Sequence, residues 1–261
     1  MTDKWRFIDA GPCTACYNMA MDEAIASEVK RGYSPPTLRL YDWDRPSVSI
    51  GYFQKVGDID SDYCIKKGIP IVRRPTGGRA ILHNSEIAYS FSAKTETGIF
   101  SKGLLDSYEK ISKAFGLALS KIGLASELKL QRESHRNRSP LCFQTTSYGE
   151  ITINNKKVIG SAQKRWPDGF LQQGSIPFTL DGGEIVKVFR LKSSEIEEKF
   201  TGLKNVLPDL SIDSLKSAIR VSFEEIFNIR LILSFPSQEE ISLSEEIEVN
   251  KYQSPLWNFQ R

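Results

Sequence analysis

Short runs of alternating or continuous apolar residues recur along the chain and predict β-strands. The runs are bounded by Gly, Pro, Asn and Asp, which favour turns. Asn154 and Asn155 separate two of the runs and predict a hairpin, because Asn tolerates positive φ. The predicted strands cover residues 5–9, 37–43, 48–53, 69–74, 79–82, 86–93, 148–153, 157–163, 170–178 and 229–235.

Apolar residues spaced by three or four positions predict helices over 18–30, 60–67 and 104–122, each followed within two residues by a glycine. The strands and helices do not alternate in a βαβ pattern. We therefore expect an α+β fold with a mixed, mostly antiparallel sheet and flanking helices. Helical patterns dominate after Asp181. This change divides the chain into a strand-rich part, residues 1–180, expected to be catalytic, and a smaller helical part, residues 181–261, packed on it or continuous with it in one domain.

Composition narrows the class of protein. The chain has 261 residues, 40% of them hydrophobic, which is enough for one sizeable core. A net charge of +3 is too small to indicate nucleic-acid binding, but it is compatible with an acidic protein partner that meets a local basic patch. No apolar run is long enough to span a membrane, and the N-terminal residues lack the apolar stretch of a signal peptide. We therefore expect a cytoplasmic protein.

The four cysteines are unevenly spaced, so we expect free thiols rather than a disulfide framework. Cys13 and Cys16 form a CxxC pair, but a structural zinc site needs four ligands and the chain has no second paired motif. No metal site is predicted. Cys16 lies near a predicted helix start, where the pKa of a thiol can be lowered, and it is our second choice for a nucleophile.

Cys142 is the first choice for a nucleophile. It ends a basic loop that contains Arg132, Arg136 and Arg138, and positive neighbours favour the thiolate. A cysteine in isolation is more often a small buried apolar residue, so the residue pattern alone leaves both interpretations open. The same loop, with Lys164 and Arg165, is either a solvated segment or a docking surface for an acidic partner.

Two further motifs could bind a substrate. Residues 73–79 read Arg-Arg-Pro-Thr-Gly-Gly-Arg, and paired glycines let backbone N–H groups approach a ligand, although plain hairpin turns look the same. Lys157 precedes the small residues Gly160, Ser161 and Ala162, which usually mark a place in a strand where another group approaches closely. His83 is expected at a strand end, lining the pocket.

Several segments together resemble the lipoate–protein ligase and octanoyltransferase superfamily. They are WRFID at the start, YNMAMDEA at 17–24, GYFQ at 51–54, RRPTGGRAILH at 73–83, KVIGSAQ at 157–163, LQQGSI at 171–176 and Trp257-Asn258. Within this superfamily the chain is most similar to the cysteine-dependent octanoyltransferases of Gram-positive bacteria, because Cys142-Phe143 and Tyr148 stand where that pattern requires them.

The resemblance implies the catalytic core shared by biotin and lipoate protein ligases and class II tRNA synthetases. It implies that Cys142 forms an acyl-thioester and that Lys157 lowers the pKa of its thiol. The donor would be octanoyl-acyl-carrier protein, and the acceptor a lysine of a lipoyl domain or glycine-cleavage H protein. We expect a monomer that uses no ATP, metal or organic cofactor. The expected substrate-binding residues are Arg74, Thr76, Gly77, Gly78, Arg79, His83, Gly160, Ser161 and Ala162.

Three alternatives remain open. An amidotransferase would move octanoyl between lipoylated carriers, but in that group the cysteine lies nearer the following tyrosine than Cys142 lies to Tyr148. An ATP-dependent lipoate ligase needs no cysteine and typically has a third small residue where this chain has Arg79. A non-catalytic binder of lipoyl or biotinyl domains would need neither Cys142 nor Lys157.

The chain also departs from the family pattern at three places. Gln173 stands where the family often has His, and Leu256 stands where an acidic residue precedes the terminal Trp-Asn. The segment after Cys142-Phe143 reads Gln-Thr-Thr rather than the usual acidic, proline-containing version. These departures concern substrate preference, since they leave the proposed nucleophile and its lysine in place.

Overall fold

The computed structural model describes residues 3–96, 98–129, 149–192 and 199–260. The predicted nucleophile Cys142, its neighbour Phe143, Tyr148 and the basic loop at 132–139 lie outside these described residues. The strands are β1 (Asp3–Cys13), β2 (Thr37–Trp43), β3 (Ser47–Ile50), β4 (Ile71–Arg73), β5 (Ile81–His83), β6 (Glu86–Lys94), β7 (Glu127–Lys129), β8 (Glu150–Ile153), β9 (Lys156–Arg165), β10 (Gly169–Pro177) and β11 (Ile229–Leu233).

The α-helices are α1 (Ala15–Arg31), α2 (Ser61–Lys67), α3 (Leu104–Lys121), α4 (Gly182–Phe189), α5 (Ile212–Phe227), α6 (Gln238–Ile247) and α7 (Pro255–Asn258). Polar side chains fix several helix ends. The Thr14 hydroxyl accepts the Tyr17 N–H at the start of α1, and Gly32, with φ of 84°, ends it. Ser237 and Glu240 form a capping box at the start of α6.

Eight strands form the large sheet of the described chain, in the order β11-β1-β2-β6-β10-β9-β8-β7. The β11, β1 and β2 strands run parallel, and every other neighbouring pair is antiparallel. The β4, β3 and β5 strands form a small second sheet. This mixed, mostly antiparallel arrangement confirms the predicted α+β class.

Helices α3 and α5 cover one face of the large sheet. Their apolar stripes pack with the inward side chains of the strands in one buried cluster that includes Phe91, Phe115, Phe170 and Phe223. Helix α1 lies on the opposite face, and α6 packs beside it. The small sheet has its own core with α2 and α4. The space between α1, the large sheet and the small sheet is where the candidate site lies.

Most of the predicted elements are confirmed, with boundaries that shift by a few residues. The β8–β9 hairpin turns through Asn154 and Asn155, whose φ angles are 51° and 62°, as their side-chain type indicated. Strand β11 follows α5 in the chain but pairs with β1 at the edge of the large sheet. The division of the chain near Asp181 stays a prediction.

A buried ion pair ties β1 to α6. The Arg6 guanidinium donates to both carboxylate oxygens of Glu240, whose side chain is fully buried. We predict that Arg6→Ala lowers the free energy of unfolding by about 3–5 kcal/mol, because it leaves a buried carboxylate without its main counter-charge. Urea unfolding followed by tryptophan fluorescence measures this loss.

The matched control is Lys216→Ala, which removes the partner of Asp9 in a pair that is partly open to solvent. It should cost no more than about 1 kcal/mol. Equal losses in the two variants would show that the Arg6–Glu240 pair contributes no more than a surface pair.

Candidate functional site

A cavity lies between the large sheet, the small sheet and α1. About 340 Å³ of space lies between its side chains when the part open to solvent is counted, and the space that the centre of a water-sized sphere can reach is about 20 Å³. Five of the predicted substrate-binding residues line it: Arg74, His83, Gly160, Ser161 and Ala162. Motifs that are separated by some 80 residues in the sequence therefore meet at one site.

Residues that the sequence analysis did not select complete the wall of the cavity. Met19 comes from α1, Tyr41 and Trp43 from β2, and Ile81 from β5. Ser49 and Gly174 also line it, as does Gln173, which the sequence analysis noted as a departure from the family pattern. Apolar side chains thus form much of the lining, which suits a hydrocarbon ligand.

Close packing requires a glycine at position 174 on β10. A Cβ at Gly174 would lie 2.2 Å from Cε1 of Tyr89 and 2.8 Å from the Gly160 carbonyl oxygen. The Tyr89 and Ser161 hydroxyls share a hydrogen bond of 2.7 Å, and Gln172 donates to the Tyr89 oxygen. Burial raises the pKa of Tyr89 to about 12, so its hydroxyl stays protonated at neutral pH.

His83 is held rigidly in the cavity wall. Its Nε2 shares a 2.7 Å hydrogen bond with the Ser49 hydroxyl, and its Nδ1 shares one of 2.7 Å with Glu86. The Trp43 ring stacks on the imidazole with centroids 4.0 Å apart. These two partners fix the orientation of the imidazole, and His83 lines the cavity. A contact between His83 and a substrate stays a prediction.

The arginines at the start of the glycine turn hold backbone carbonyls. Arg73 is fully buried and donates from Nη1 to the carbonyls of Gly51 and Gln54. Arg74 donates from Nη2 to the carbonyls of Gly77 and Arg79, each at 2.7 Å. These bonds fix the turn. Arg74 also lines the cavity, and a contact between it and a substrate stays a prediction.

The glycine turn packs directly on the segment that follows β3. A Cβ at Gly51 would lie 1.9 Å from the Gly78 carbonyl oxygen, so only glycine fits there. Gly78 has φ of 83°, in the left-handed region that favours glycine. Thr76, Gly77, Gly78 and Arg79 are not among the cavity-lining residues. Nη1 of Arg79 is buried and has no hydrogen-bond partner within the described part of the chain.

A buried polar network below the cavity escaped the sequence analysis. The Asp22 carboxylate accepts hydrogen bonds from Arg39 at 2.8 Å, Tyr41 at 2.9 Å, Ser90 at 2.6 Å and Gln173 at 2.8 Å. Gln173 in turn accepts a 2.9 Å bond from Thr76. The sequence feature that could have predicted this network is the pair Asn18 and Asp22, which lie four residues apart on an otherwise apolar face of α1.

Lys157 lies at the start of β9, three residues before Gly160. Its Nζ donates to Oε1 of Glu150 at 2.5 Å, and both side chains are about 4% exposed. Three residues of a strand span about 10 Å. Lys157 is therefore placed near one end of the cavity rather than in its lining. Its contact with Cys142 stays a prediction, because Cys142 is outside the described residues.

The three described cysteines are free thiols, Cys13, Cys16 and Cys64. Burial and, to a smaller extent, the charge of Glu248 together raise the pKa of Cys16 to about 11. The Cys16 thiol donates to the Tyr252 carbonyl at 3.1 Å. The expectation of a lowered Cys16 pKa is therefore wrong, because the helix start is covered by the C-terminal segment.

The described residues contain neither a membrane-spanning helix nor a metal-binding cluster. They contain no helix with the length and apolar character needed to cross a bilayer. They also contain no group of three or more His, Cys, Asp or Glu side chains that could hold a metal ion.

Comparison with known proteins identifies a matching family and several similar proteins. Residues 14–224 match the lipoyl protein ligase A/B catalytic domain. The chain is 38% identical to the octanoyltransferase LipM of Clostridioides difficile over 99% of this chain and 100% of the relative. It is 37% identical to the octanoyltransferase LipM of Carboxydothermus hydrogenoformans over 98% of this chain and 99% of the relative.

The fold also matches a solved structure. A crystal structure of lipoate-protein ligase A bound with ATP superposes with a TM-score of 0.84 at 25% identity, covering 98% of each chain. This similarity confirms the predicted lipoate-ligase type of fold. Together with the two relatives, it confirms the resemblance drawn from the sequence motifs.

The raised pKa of Cys16 generates a prediction about its reactivity. The thiolate is the reactive form, and at pH 8 a thiol of pKa about 11 is about one-thousandth ionised. Alkylation of Cys16 by iodoacetamide should therefore be slow at pH 7 and rise about tenfold per pH unit up to pH 9.5. Peptide mass spectrometry after timed labelling measures the rate. A plateau below pH 8.5 would contradict the predicted raised pKa.

Proposed function

Because the chain belongs to the lipoyl protein ligase A/B catalytic domain family, we propose that it is an octanoyltransferase of lipoate biosynthesis. The two relatives named octanoyltransferase, which match the chain over nearly its full length, support this activity. The finer proposal is that octanoyl-acyl-carrier protein is the donor, that Cys142 carries the acyl group, and that a lysine of a lipoyl domain or glycine-cleavage H protein is the acceptor.

The cavity is the observation on which the proposal chiefly rests. Met19, Ile81 and Ala162 give it an apolar wall, and Gly160 and Gly174 line it without contributing side chains. The strand distance of about 10 Å from Lys157 to Gly160 is close to the length of an extended eight-carbon chain. An acyl group with its carbonyl near Lys157 would therefore place its hydrocarbon tail in the cavity.

The first half-reaction is a thioester exchange. The Cys142 thiolate attacks the acyl carbon, a new C–S bond forms, the bond to the pantetheine sulfur breaks, and the leaving thiolate takes up the proton lost by Cys142. One thioester replaces another, so the step is close to isoenergetic. The Lys157 ammonium favours the Cys142 thiolate and the negative charge on the carbonyl oxygen of the tetrahedral intermediate.

The second half-reaction forms an amide. The neutral ε-amine of the acceptor lysine attacks the acyl-enzyme, a C–N bond forms, the C–S bond to Cys142 breaks, and the amine proton passes to the sulfur. An amide is more stable than a thioester, so this step drives the cycle. Neither step consumes a nucleotide, and the kinetics should be ping-pong.

The remaining predicted residues have distinct roles in this proposal. Arg74 and Thr76 hold the glycine turn over the cavity, and His83 forms part of the wall. Nη1 of Arg79 is a buried donor without a partner in the described chain, so it is available to a polar group of the donor or acceptor. Gly77 and Gly78 leave the backbone of the turn accessible.

Acylation of Cys142 is the most direct prediction. The wild-type protein, incubated with octanoyl-acyl-carrier protein without ATP, should gain the mass of one octanoyl group, and Cys142→Ala should gain none. Intact-mass spectrometry measures the adduct. Cys16→Ala is the matched control and should be acylated like the wild type, because the half-buried Cys16 thiol has a raised pKa and stays protonated at neutral pH.

Three results would contradict this proposal. An adduct that persists in Cys142→Ala and disappears in Cys16→Ala would move the nucleophile to Cys16. Efficient ligation of free octanoate or lipoate with ATP would instead support the ATP-dependent ligase. Octanoyl transfer from a lipoylated carrier that exceeds transfer from acyl-carrier protein would support the amidotransferase.

Lys157 is predicted to lower the pKa of Cys142 by about one to three units, as expected for an ammonium near a thiol in a partly desolvated pocket. Lys157→Ala should therefore slow acylation at neutral pH, with partial recovery at alkaline pH where the thiol ionises unaided. Lys157→Arg should also be impaired, because guanidinium is not a compact point donor. The pH profile of Cys142 alkylation by iodoacetamide measures the shift.

The structure supplies a control for this experiment. Lys157→Ala also removes the ammonium bonded to the buried Glu150 carboxylate, which could destabilise the fold. The double variant Glu150→Gln/Lys157→Met removes both charges and keeps the side-chain volumes. It should show the same raised Cys142 pKa with a melting temperature near that of the wild type. An unchanged alkylation profile in both variants would limit Lys157 to a structural or positioning role.

A further inference from the structure

A row of lysine and aromatic side chains lies beside the cavity and takes no part in the mechanism above. Lys30 Nζ lies 4.3 Å from the centroid of the Trp166 ring. Lys164 Nζ lies 4.9 Å from the same ring and 5.7 Å from the Tyr52 ring. Each ammonium thus sits within cation–π distance of an aromatic ring, which restricts where its charge can move.

The row continues through the C-terminal segment. The Tyr52 and Trp257 ring centroids are 5.7 Å apart, and Lys251 Nζ lies 4.1 Å from the Trp257 ring. An unbroken series of contacts therefore runs along one face of the protein. We call this series the lysine–aromatic row; its members are Lys30, Trp166, Lys164, Tyr52, Trp257 and Lys251.

The row has an excess of positive charge. Glu23 pairs with Lys251 at 2.6 Å and also accepts from the Tyr252 hydroxyl. Lys30 and Lys164 make no salt bridge within the described ranges, although both are half-buried. Burial lowers the pKa of Lys164, and Lys251 and Lys30 lower it further against the opposing effect of Glu23. Carboxylates on a partner would neutralise these charges.

Exposed apolar side chains accompany the charges. Phe53 is 71% exposed and packs edge-on against Tyr52 with ring centroids 4.7 Å apart. Leu256, beside Trp257 in the chain, is 86% exposed. Apolar and aromatic groups in a cationic surrounding are the composition of a protein-docking surface, since the apolar groups pack and the charges orient the partner.

The lysine–aromatic row is connected to the cavity. The Tyr52 N–H donates to the Thr76 carbonyl at 2.9 Å, which joins the row to the glycine turn. Lys164 lies two residues beyond the cavity-lining Ala162 on β9. It lies seven residues beyond Lys157 on the same strand, a distance of about 20 Å.

We propose that the lysine–aromatic row is the docking surface for the acidic carrier protein that delivers the octanoyl thioester. This inference rests on the proposed function, because it takes the thioester carbonyl to react near Lys157. A separation of about 20 Å exceeds the reach of an acceptor lysine side chain presented at the row. It suits a carrier whose extended phosphopantetheine arm spans from the docking surface to the reacting carbonyl.

The test reverses the charge of Lys30 and Lys164, the two lysines of the row that have no salt-bridge partner in the described structure. The variant is Lys30→Glu/Lys164→Glu, and the matched control is Lys66→Glu/Lys67→Glu, which makes the same charge change on the exposed end of α2. The measured quantity is kcat/KM for enzyme acylation from octanoyl-acyl-carrier protein divided by kcat/KM from octanoyl-pantetheine, a donor without the protein. Circular dichroism melting verifies that both variants fold.

We expect the ratio to fall about tenfold in Lys30→Glu/Lys164→Glu, through KM for the carrier donor, and to fall much less in the control. The wild-type ratio should also decrease with added salt, because exposed charges are screened. An unchanged ratio in the row variant, or an equal fall in the control, would overturn the proposal. So would a selective loss of transfer from the acyl-enzyme to the lipoyl domain, which would assign the row to the acceptor.

A direct binding measurement separates failure of this inference from failure of the proposed function. Fluorescence anisotropy of labelled acyl-carrier protein reports docking whether or not acylation occurs. Tighter binding to the wild type than to Lys30→Glu/Lys164→Glu supports the docking surface, and equal binding overturns it. Absence of acylation of the wild type by both octanoyl donors would overturn the proposed function itself.

Discussion

The site is organised around the hydrogen bonds that the buried Asp22 carboxylate accepts. It accepts hydrogen bonds from side chains of β2, β6 and β10, and Gln173 extends the connection to Thr76 of the glycine turn. A buried carboxylate is tolerated only when several donors and a counter-charge surround it. The Arg39 guanidinium supplies the charge and is itself fixed by Asn18. Because all of these bonds must form together, they fix the positions of α1, the large sheet and the glycine turn relative to one another.

Because the buried polar groups hydrogen-bond to one another, an apolar cavity can exist beside them. The polar atoms of Asp22, Arg39 and Gln173 bond to one another below the cavity, while Met19, Ile81 and Ala162 contribute apolar surface to its wall. Gly51 lets the glycine turn pack on the segment after β3, and Gly174 leaves room for the Tyr89 ring. In the proposed function the hydrocarbon chain contacts this apolar surface and leaves the hydrogen bonds below it intact, since breaking one would cost more than the burial contributes.

Much of the fold followed from local sequence signals. The apolar period of α3, the Asn154-Asn155 hairpin and the strand patterns depend on neighbouring residues only, and all were predicted. The meeting of Arg74, His83 and Gly160 at one cavity came from the family resemblance, since no local pattern sets their distance. The pKa of Cys16 was misjudged, and the structural role of Arg73 was not foreseen, because both residues contact the C-terminal segment, more than 180 residues away in the chain. The Asp22 network was missed because its partners lie on three separate strands, β2, β6 and β10.

The central claim of this account is that the cavity holds the octanoyl chain of a Cys142 acyl-enzyme. A crystal structure of the protein after reaction with octanoyl-acyl-carrier protein, in the absence of acceptor, tests that claim most directly. The account predicts electron density that is continuous from the Cys142 sulfur, passes near Lys157 and ends between Met19, Ile81 and Ala162. Density attached to another residue, or a chain that runs from Cys142 along the surface with the cavity unchanged, would contradict it.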